Sequence, residues 1–422
     1  MSTTSDKAKK VLYMLENSAE LIKAIKSKDS SIMADEDSLP VQKEITEESV
    51  AALQNFLKEK TNRDIPYLEA KKTFKEVENL KGNIENYIGM TMIPTGVIGP
   101  VRILGTAANG DYYVPMATSE GALVASYHRG AKVCRMSGGI TSICMTEAVQ
   151  RSPVFKFNNI GEVGEFLIWV LKNMPALKAA AESTTRHGQL LEIKPNIEGN
   201  HIILTFEYLT GDAAGQNMVT IATDAVCKYI IENTPVKPQI WFIEGNYSGD
   251  KKATTLSFTN VRGKKVTAEI EIPASLVTTV LKTTPQLMHQ YWQSSTIGVI
   301  QSGAIGAQGH FANGLAALFL ACGQDAACVS EAATGITRME ITSKGNLYVS
   351  VTLPSLIIGT VGGGTSLPTQ KECLRLIDCE GPGTARRFAE ICGAVVLAGE
   401  ISIAAALSAG HFANAHKNLG RK

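Results

Sequence analysis

The chain has 422 residues, more than a single ordinary hydrophobic core accommodates, so two or three domains are expected. Its 41 Lys and Arg against 40 Asp and Glu leave a formal charge of +1, which excludes general nucleic-acid or membrane-surface binding, since both need a basic excess. Aromatic residues make up only 6%, a composition that suits close-packed helices and glycine-rich loops.

The eight cysteines (Cys134, Cys144, Cys227, Cys322, Cys328, Cys373, Cys379 and Cys392) form no C-x-x-C pair, and most sit in apolar surroundings. Reduced thiols in a cytoplasmic protein are expected. Met1–Lys10 lacks the apolar core of a signal peptide, and no window of eighteen apolar residues escapes charge, Pro or clustered Gly, so no membrane span is expected.

Residues 1–86 carry 30 of the 81 charged residues and differ in character from the rest. Leu12, Leu15, Ala19 and Ile22 fall on one helical face, and Val50, Leu53 and Leu57 on another behind Thr46 as N-cap, with Asp29–Pro40 reading as a linker. A helical arm packed on the main body or on a partner subunit is expected. From Tyr87 the chain turns apolar, and Ile93–Val101 predicts a strand bounded by tight turns. Met116–Ser126 opens a helix with Thr118 or Ser119 as N-cap, which puts Glu120 in its first turn. The helix dipole lowers a carboxyl there, so a general acid at Glu120 requires burial or a neighbouring carboxylate. Ser126, Arg129 and Lys132 follow at i, i+3 and i+6, placing two cations on adjoining turns where a phosphate can bind.

Beyond Pro153, a helix over Val163–Ser183, a strand over Ile202–Tyr208 and a helix over Asn217–Asn233 lead back to the Ile240 strand, the pattern of a compact α+β insertion. The joint Leu209–Met218 runs from strand to helix through two glycines and exposes amides at a helix N-terminus, where a pyrophosphate can sit. Arg186, just past the first helix, can pair with a phosphate or simply with water. No G-x-G-x-x-G follows a strand, so a Rossmann site is not supported.

The apolar run Ile240–Ile243 reads as a buried strand that delivers the loop Glu244–Lys252. Its two glycines let the loop turn sharply and hold its lysines against the core. A lysine fixed in a dry site stabilises a developing oxyanion, with Asp250 and Glu244 near enough to orient it, while a solvated turn with a surface Lys pair is the other reading of the same loop. Strands are expected near Thr254–Phe258 and Val266–Ile272, a helix from Pro273, and loop with small-residue helix over Gly298–Gly314. A helix over Leu315–Ala321 follows, then Asp325 as an N-cap, a strand over Asn346–Leu353 and a flexible loop over Ile358–Thr365. The final helix, Thr384–Ala409, is nearly all small or aliphatic and must be buried. His411 and His416 lie in a short tail suited to a lid that delivers a proton.

Seven stretches occur together in one order: Glu85–Gly89, Pro115–Gly121, Gly211–Met218, Gly249–Lys252, Cys322–Ala326, Gly359–Thr365 and Ala409–His411. With them the chain resembles the hydroxymethylglutaryl-CoA reductases of the eukaryotic and archaeal class, from about Glu85 to His416. The resemblance implies two hydride transfers from NADPH that carry a thioester through a hemithioacetal and an aldehyde to mevalonate and free CoA. It implies that Lys251 stabilises the oxyanion, that Glu120 protonates the mevaldehyde oxygen, and that Asp325 joins both in one hydrogen-bonded network. His416 is implied to protonate the departing thiolate, with His411 its structural neighbour. Arg151, Asp250 and Lys252 match positions that hold the hydroxymethylglutaryl carboxylate, Asn313 a polar active-site residue, and Ser126 and Arg129 CoA contacts. Asp212, Gly215 and Asn217, with Ala214 and Gln216 between them, match the cofactor turn, while Thr185 and Arg186 match a pair that recognises the 2′-phosphate of NADPH. Three positions depart from the family pattern: Glu244 stands where a substrate-binding Ser is usual, His128 replaces an Asn beside the CoA site, and Gln216 replaces a Met.

The implied fold is α+β. A helical N-terminal region (1–86) precedes a large helix-rich α/β substrate domain (87–152 and 243–422), interrupted by a small ferredoxin-like NADP(H)-binding domain (153–242). Active sites are implied between subunits of a homo-oligomer. Two readings from other classes stay open: a CoA-thioester lyase or hydrolase without redox chemistry, and an inert CoA- or nucleotide-binding module.

Overall fold

The computed structural model describes residues 5–27, 32–35, 37–40, 42 and 44–410; His411 and His416 lie outside the described residues. The arm consists of α1 (Ser5–Glu16), α2 (Ala19–Lys26) and α3 (Glu47–Thr61). The single helical face expected through Leu12 and Ile22 is divided between two helices. Asn17 Nδ2 donates to Tyr13 O and Ser18 Oγ to Met14 O, both at 2.7 Å, so polar side chains satisfy the last carbonyls of α1 and end it. Thr46 does cap α3, accepting from Ser49 N in a capping box. The arm lies on the body: Met33 N donates to Met136 O at 2.8 Å, Tyr113 donates its hydroxyl to Asp37 O at 2.8 Å, and Asp35 pairs with Lys132 at 2.7 Å and with Arg135.

The body begins with β1 (Thr95–Gly105) and β2 (Asn109–Ala117), an antiparallel hairpin in register from Thr95↔Ala117, followed by α4 (Leu123–Met136) and β3 (Ile140–Arg151). Because β2 keeps pairing through Ala117, the helix expected from Met116 starts only at Leu123, after Ala122 in the left-handed conformation (φ 68°). Next come β4 (Val154–Lys156), α5 (Ile160–Lys172), α6 (Met174–Glu182), β5 (Gln189–Glu198), β6 (His201–Leu209), α7 (Gln216–Asn233) and β7 (Ile240–Phe242). The one helix expected over Val163–Ser183 is thus two: Pro175, without an amide proton, sits in the first turn of α6 and separates it from α5 at Asn173. β7 is an edge strand bonded only to β4, leaving Ile240 47% and Phe242 57% exposed. The expectation of a buried strand is corrected: the apolar run carries no information about which side of a sheet is covered.

After β7 come α8 (Leu256–Thr259), β8 (Gly263–Ile272), α9 (Ala274–Thr279), α10 (Pro285–Ser302), α11 (Phe311–Ala321), α12 (Val329–Ala332), β9 (Ile336–Ile341), β10 (Leu347–Leu356), α13 (Pro368–Leu376) and α14 (Ala385–Ser408). The strand expected near Thr254 is the single helical turn α8. The loop expected from Gly298 begins only at Gly303, whose φ of 72° ends α10. Strictly alternating burial along β8 and much of β10 sets their faces, and β8 pairs with both β10 and β3. β3 is the shared strand: its first part pairs with β8 and β1, and its last three residues, Val149–Arg151, pair with β6. One hydrogen-bonded network therefore links all ten strands, and Arg151 sits at its junction.

α14 packs on β8, β3, β10 and α4 and is the core of the body. Among the described residues it is the one helix long and apolar enough by length and composition to cross a membrane, although Glu400 interrupts its apolar run, in keeping with the expectation that no eighteen-residue apolar window escapes charge. Since 83% of its most apolar stretch is buried inside the protein, it reads as a core helix. Its two buried acids are fully engaged. Glu390 accepts from Thr106 Oγ1 (2.5 Å), Ala107 N (2.8 Å), Ala108 N (2.7 Å) and Cys144 N (3.1 Å). Glu400 accepts from Gly309 N (2.7 Å), His310 N (2.8 Å) and Thr337 Oγ1 (2.6 Å) and pairs with His310 Nδ1 (3.0 Å). Burial pushes the Glu400 carboxyl up, but His310 and Thr337 outweigh it and hold the group below its ordinary value. Replacing Glu390 with Leu would leave two buried amides and one partly buried amide without acceptors. We expect Glu390→Leu to lose about 4 kcal/mol of stability and Glu390→Gln about half that, read from denaturant midpoints.

Candidate active site

Asp250 lies between two guanidinium groups. Its Oδ2 accepts from Arg151 Nη1 at 3.0 Å and its Oδ1 from Arg262 Nη2 at 2.5 Å. Burial pushes the Asp250 carboxyl up, and Arg262 and Arg151 outweigh burial and hold it below the ordinary carboxylate range. Arg262 is only 2% exposed; it also donates Nε to Glu331 at 2.6 Å, Nη1 to Gln150 O at 3.0 Å and Nη2 to Gln216 Oε1 at 2.9 Å. Arg151 reaches Gln216 O at 3.4 Å, while its Nε is buried without a hydrogen-bond partner. Glu244, the unusual residue in this loop, is turned inward. It accepts from Ser248 Oγ (3.0 Å), Tyr247 N (3.2 Å) and Ser152 N (3.3 Å), and meets Arg151 at 3.4 Å. Its charge is spent on shaping the loop and is opposed by Arg151.

Next to this clamp, Lys251 adopts φ 55°, a left-handed conformation that costs a non-glycine residue about 1–2 kcal/mol. Its ammonium meets Asp325 Oδ2 at 3.0 Å, with the two side chains 47% and 41% exposed. The hydrogen bond that Lys251 donates to the Asp325 carboxylate raises the Lys251 pKa, so the cation is retained. The expected dry setting is corrected: in a single chain this lysine is half open to solvent. Asp325 caps its turn as expected, accepting from Ala327 N at 3.0 Å. Lys252 is exposed and donates to Asp250 O at 3.0 Å.

Glu120 sits in the turn before α4, not in its first helical turn; its amide donates to Thr118 Oγ1 at 3.0 Å and its carboxylate meets Asn313 Nδ2 at 3.5 Å. Among the described residues no hydrogen bond or ion pair links this couple to Lys251 and Asp325.

The Gly211–Asn217 turn delivers the N-terminus of α7 through Gly215 at φ 83°. Asp212 does not project freely: its oxygens accept from Gly383 N (2.8 Å) and Ala385 N (3.0 Å), anchoring the turn to the start of α14. Gly359 crosses so close to Ala214 that a methyl group there would strike the Ala214 backbone. Thr185 Oγ1 accepts from His187 N (3.2 Å) and Gly188 N (3.1 Å), and Thr185 lines one small cavity with Met218 of α7. Arg186 and Asn217 are exposed. First-turn amides without intrahelical partners, a close glycine crossing and an exposed cation fit a phosphate-bearing ligand.

On α4, Ser126 Oγ lies 2.9 Å from Ser402 Oγ, and Arg129 donates to Ser402 O at 2.7 Å. The Arg129–Lys132 stripe is therefore not a free basic face, since Ser402 and Asp35 hold its two cations. His128 Nδ1 accepts from Gly99 N at 3.4 Å, and burial, then Lys132, lowers its pKa so that it favours the neutral ring. Sequence reasoning missed Arg262, Glu331 and Cys328. Arg262 stands just before β8, next to Gly263, and looks in sequence like any charged residue at a strand end.

The chain matches the family model described as hydroxymethylglutaryl-coenzyme A reductase over residues 49–421. It is 44% identical over 346 residues to the 3-hydroxy-3-methylglutaryl-coenzyme A reductase of Pyrococcus abyssi, covering 80% of this chain and 85% of that one. To the protein of the same name from Methanothermobacter thermautotrophicus it is 45% identical over 341 residues, again 80% and 85%. In fold it is similar to the class II reductase of Streptococcus pneumoniae solved with NADPH in open conformations, with TM-score 0.69 at 18% identity over 86% of this chain and 97% of that one. With seven ordered motifs and a match along nearly its whole length, the chain belongs to the hydroxymethylglutaryl-coenzyme A reductase family.

Proposed function

We propose that the chain catalyses the NADPH-dependent four-electron reduction of 3-hydroxy-3-methylglutaryl-CoA to mevalonate and CoA, the committing step of isoprenoid synthesis. The observation that carries this reading is the Lys251–Asp325 pair at 3.0 Å beside an arginine-clamped Asp250, in a chain of this family. NADPH, when bound, supplies the hydride for both reductions.

The side chains do the rest. Lys251, kept cationic by Asp325, stabilises negative charge on the thioester and hemithioacetal oxygen. Glu120, steadied by Asn313, donates a proton to the aldehyde oxygen, and His416 protonates the leaving thiolate. Arg151, with Lys252, offers donors to the substrate carboxylate, while Asp250 holds Arg151 in place. Ser126, His128 and Arg129 face the CoA chain. Ala214, Gly215, Gln216 and Asn217 carry the cofactor diphosphate, with Asp212 bracing the turn. Thr185 and Arg186 take the 2′-phosphate and favour NADPH over NADH. Residues 153–242 form a ferredoxin-like cofactor unit, supported by their β-α-β-β-α-β order (α5 and α6 filling the first helical place) and the strand order β7-β4-β6-β5. Eight buried free thiols support a reducing, cytoplasmic setting.

Within one chain no hydrogen bond or ion pair among the described residues joins the Glu120–Asn313 and Lys251–Asp325 couples, and the lysine is half exposed. Both features are what a site shared between two subunits leaves in each, and we assign the active site to a homo-oligomer interface.

The assay that tests the reaction follows nicotinamide absorbance and free thiol together: two NADPH oxidised per CoA freed are expected, whereas thiol release without NADPH oxidation would mark a lyase or hydrolase. Lys251→Ala should lower kcat by about 10³-fold with CoA binding retained. When Lys251→Ala and Glu120→Gln, each inactive alone, are unfolded together and reassembled, about a quarter of wild-type activity should return. No recovery would place the whole site in one chain.

A further inference from the structure

Gln216 touches more of the site than any motif assigns to it. Its Oε1 accepts from Arg262 Nη2 at 2.9 Å, its Nε2 donates to Cys328 Sγ at 3.3 Å, and its carbonyl accepts from Arg151 Nη2 at 3.4 Å. Arg262 Nη2, which reaches the Gln216 amide, is the same nitrogen that holds Asp250 at 2.5 Å, and Asp250 immediately precedes the left-handed Lys251. On the other side, Cys328 ends the short turn capped by Asp325, which holds the Lys251 ammonium at 3.0 Å. Two routes thus run from one amide group to one lysine. Both pass through desolvated atoms, since Cys328 is 0% and Arg262 2% exposed, and hydrogen bonds there are stronger than in water. Gln216 is also the first residue of α7, directly after Gly215, so any ligand seated on this helix N-terminus moves or fixes it. The methionine usual at this position accepts only weakly through its thioether and has no proton to donate to a thiol.

We propose that Gln216 is a positioning residue that couples occupancy of the cofactor turn to the conformation of the Lys251 loop, making NADP(H) and the CoA thioester bind cooperatively. The inference rests on the proposed reductase reading. In this proposal the Lys251 loop is the two-state element: Arg262 and Arg151, by holding Asp250, favour its left-handed conformation, and weakening that hold would let it relax. Ordering α7 around a cofactor fixes Gln216, which fixes Arg262 and the Cys328 turn, and the substrate then meets a preset lysine. By linkage, the substrate tightens the cofactor by the same factor.

Calorimetric titration of NADP+ into the wild-type protein, with and without saturating hydroxymethylglutaryl-CoA, reads this directly, because NADP+ cannot turn over. The thioester should tighten NADP+ by about 5- to 10-fold in the wild type and by less than about 2-fold in Gln216→Met. Cys328→Ala should lower the factor, and Cys328→Ser, which keeps an acceptor for the amide, should preserve it. A wild-type factor near one, or an unchanged factor in Gln216→Met, overturns the proposal. If Gln216→Met does not fold, an unchanged factor in Cys328→Ala does the same. Failure of the wild type to bind either ligand instead defeats the reductase reading, and the coupling with it.

Discussion

The site depends on Asp250 being held by two buried or nearly buried guanidinium groups. Without Arg151 and Arg262, a carboxylate this desolvated would protonate or swing outward, and the loop would have no reason to keep Lys251 in a left-handed conformation. With them, the strain at Lys251 is overdetermined by its neighbours and points the ammonium at Asp325. Arg262 extends the same hold to Glu331 and Gln216, so three segments distant in sequence are fixed against one side chain. Burial pushes the Glu331 carboxyl up against the pull of Arg262, as expected for an acid retained in the interior to hold a cation.

This arrangement needs a rigid frame, and β3 with α14 provides it. β3 carries hydrogen bonds into both halves of the sheet and ends at Arg151, so the clamp is attached where the halves join. α14 lies against β3 and β8, and its Glu390 and Glu400 bind the turns after β1 and before α11. Asp212 adds a third tie, from the glycine turn to the first residues of α14. A buried helix with two acids that each satisfy several backbone amides serves as a scaffold and as a set of anchors.

Much of this was legible in the sequence where periodicity or a cap is local. Thr46, Asp325 and the buried final helix are read from neighbours within one or two turns, and the structure bears them out. Strand edges were not legible: Ile240–Phe242 has the composition of a buried strand, yet whether a partner strand covers its far side is decided by topology. The break at Asn173 was readable in principle, since Pro175 stands in the next turn. At the site, family motifs located Lys251, Asp250 and Asp325, but Arg262 belongs to no local pattern and acquires its role only when β8 folds beside β3. The inward turn of Glu244 was only half legible: its bonds to Tyr247 and Ser248 are local, but Ser152 and Arg151, which also meet it, lie nearly a hundred residues away in sequence.

The central claim is that a clamped, strained lysine meets the carbonyl that receives hydride. A crystal structure of the protein with hydroxymethylglutaryl-CoA bound tests it most directly. The account predicts the thioester oxygen at about 3 Å from Lys251 Nζ, with Lys251 still at positive φ and Asp250 still between Arg151 and Arg262. A thioester oxygen out of hydrogen-bond reach of Lys251 in every subunit, or a loop relaxed away from the arginines, would contradict it.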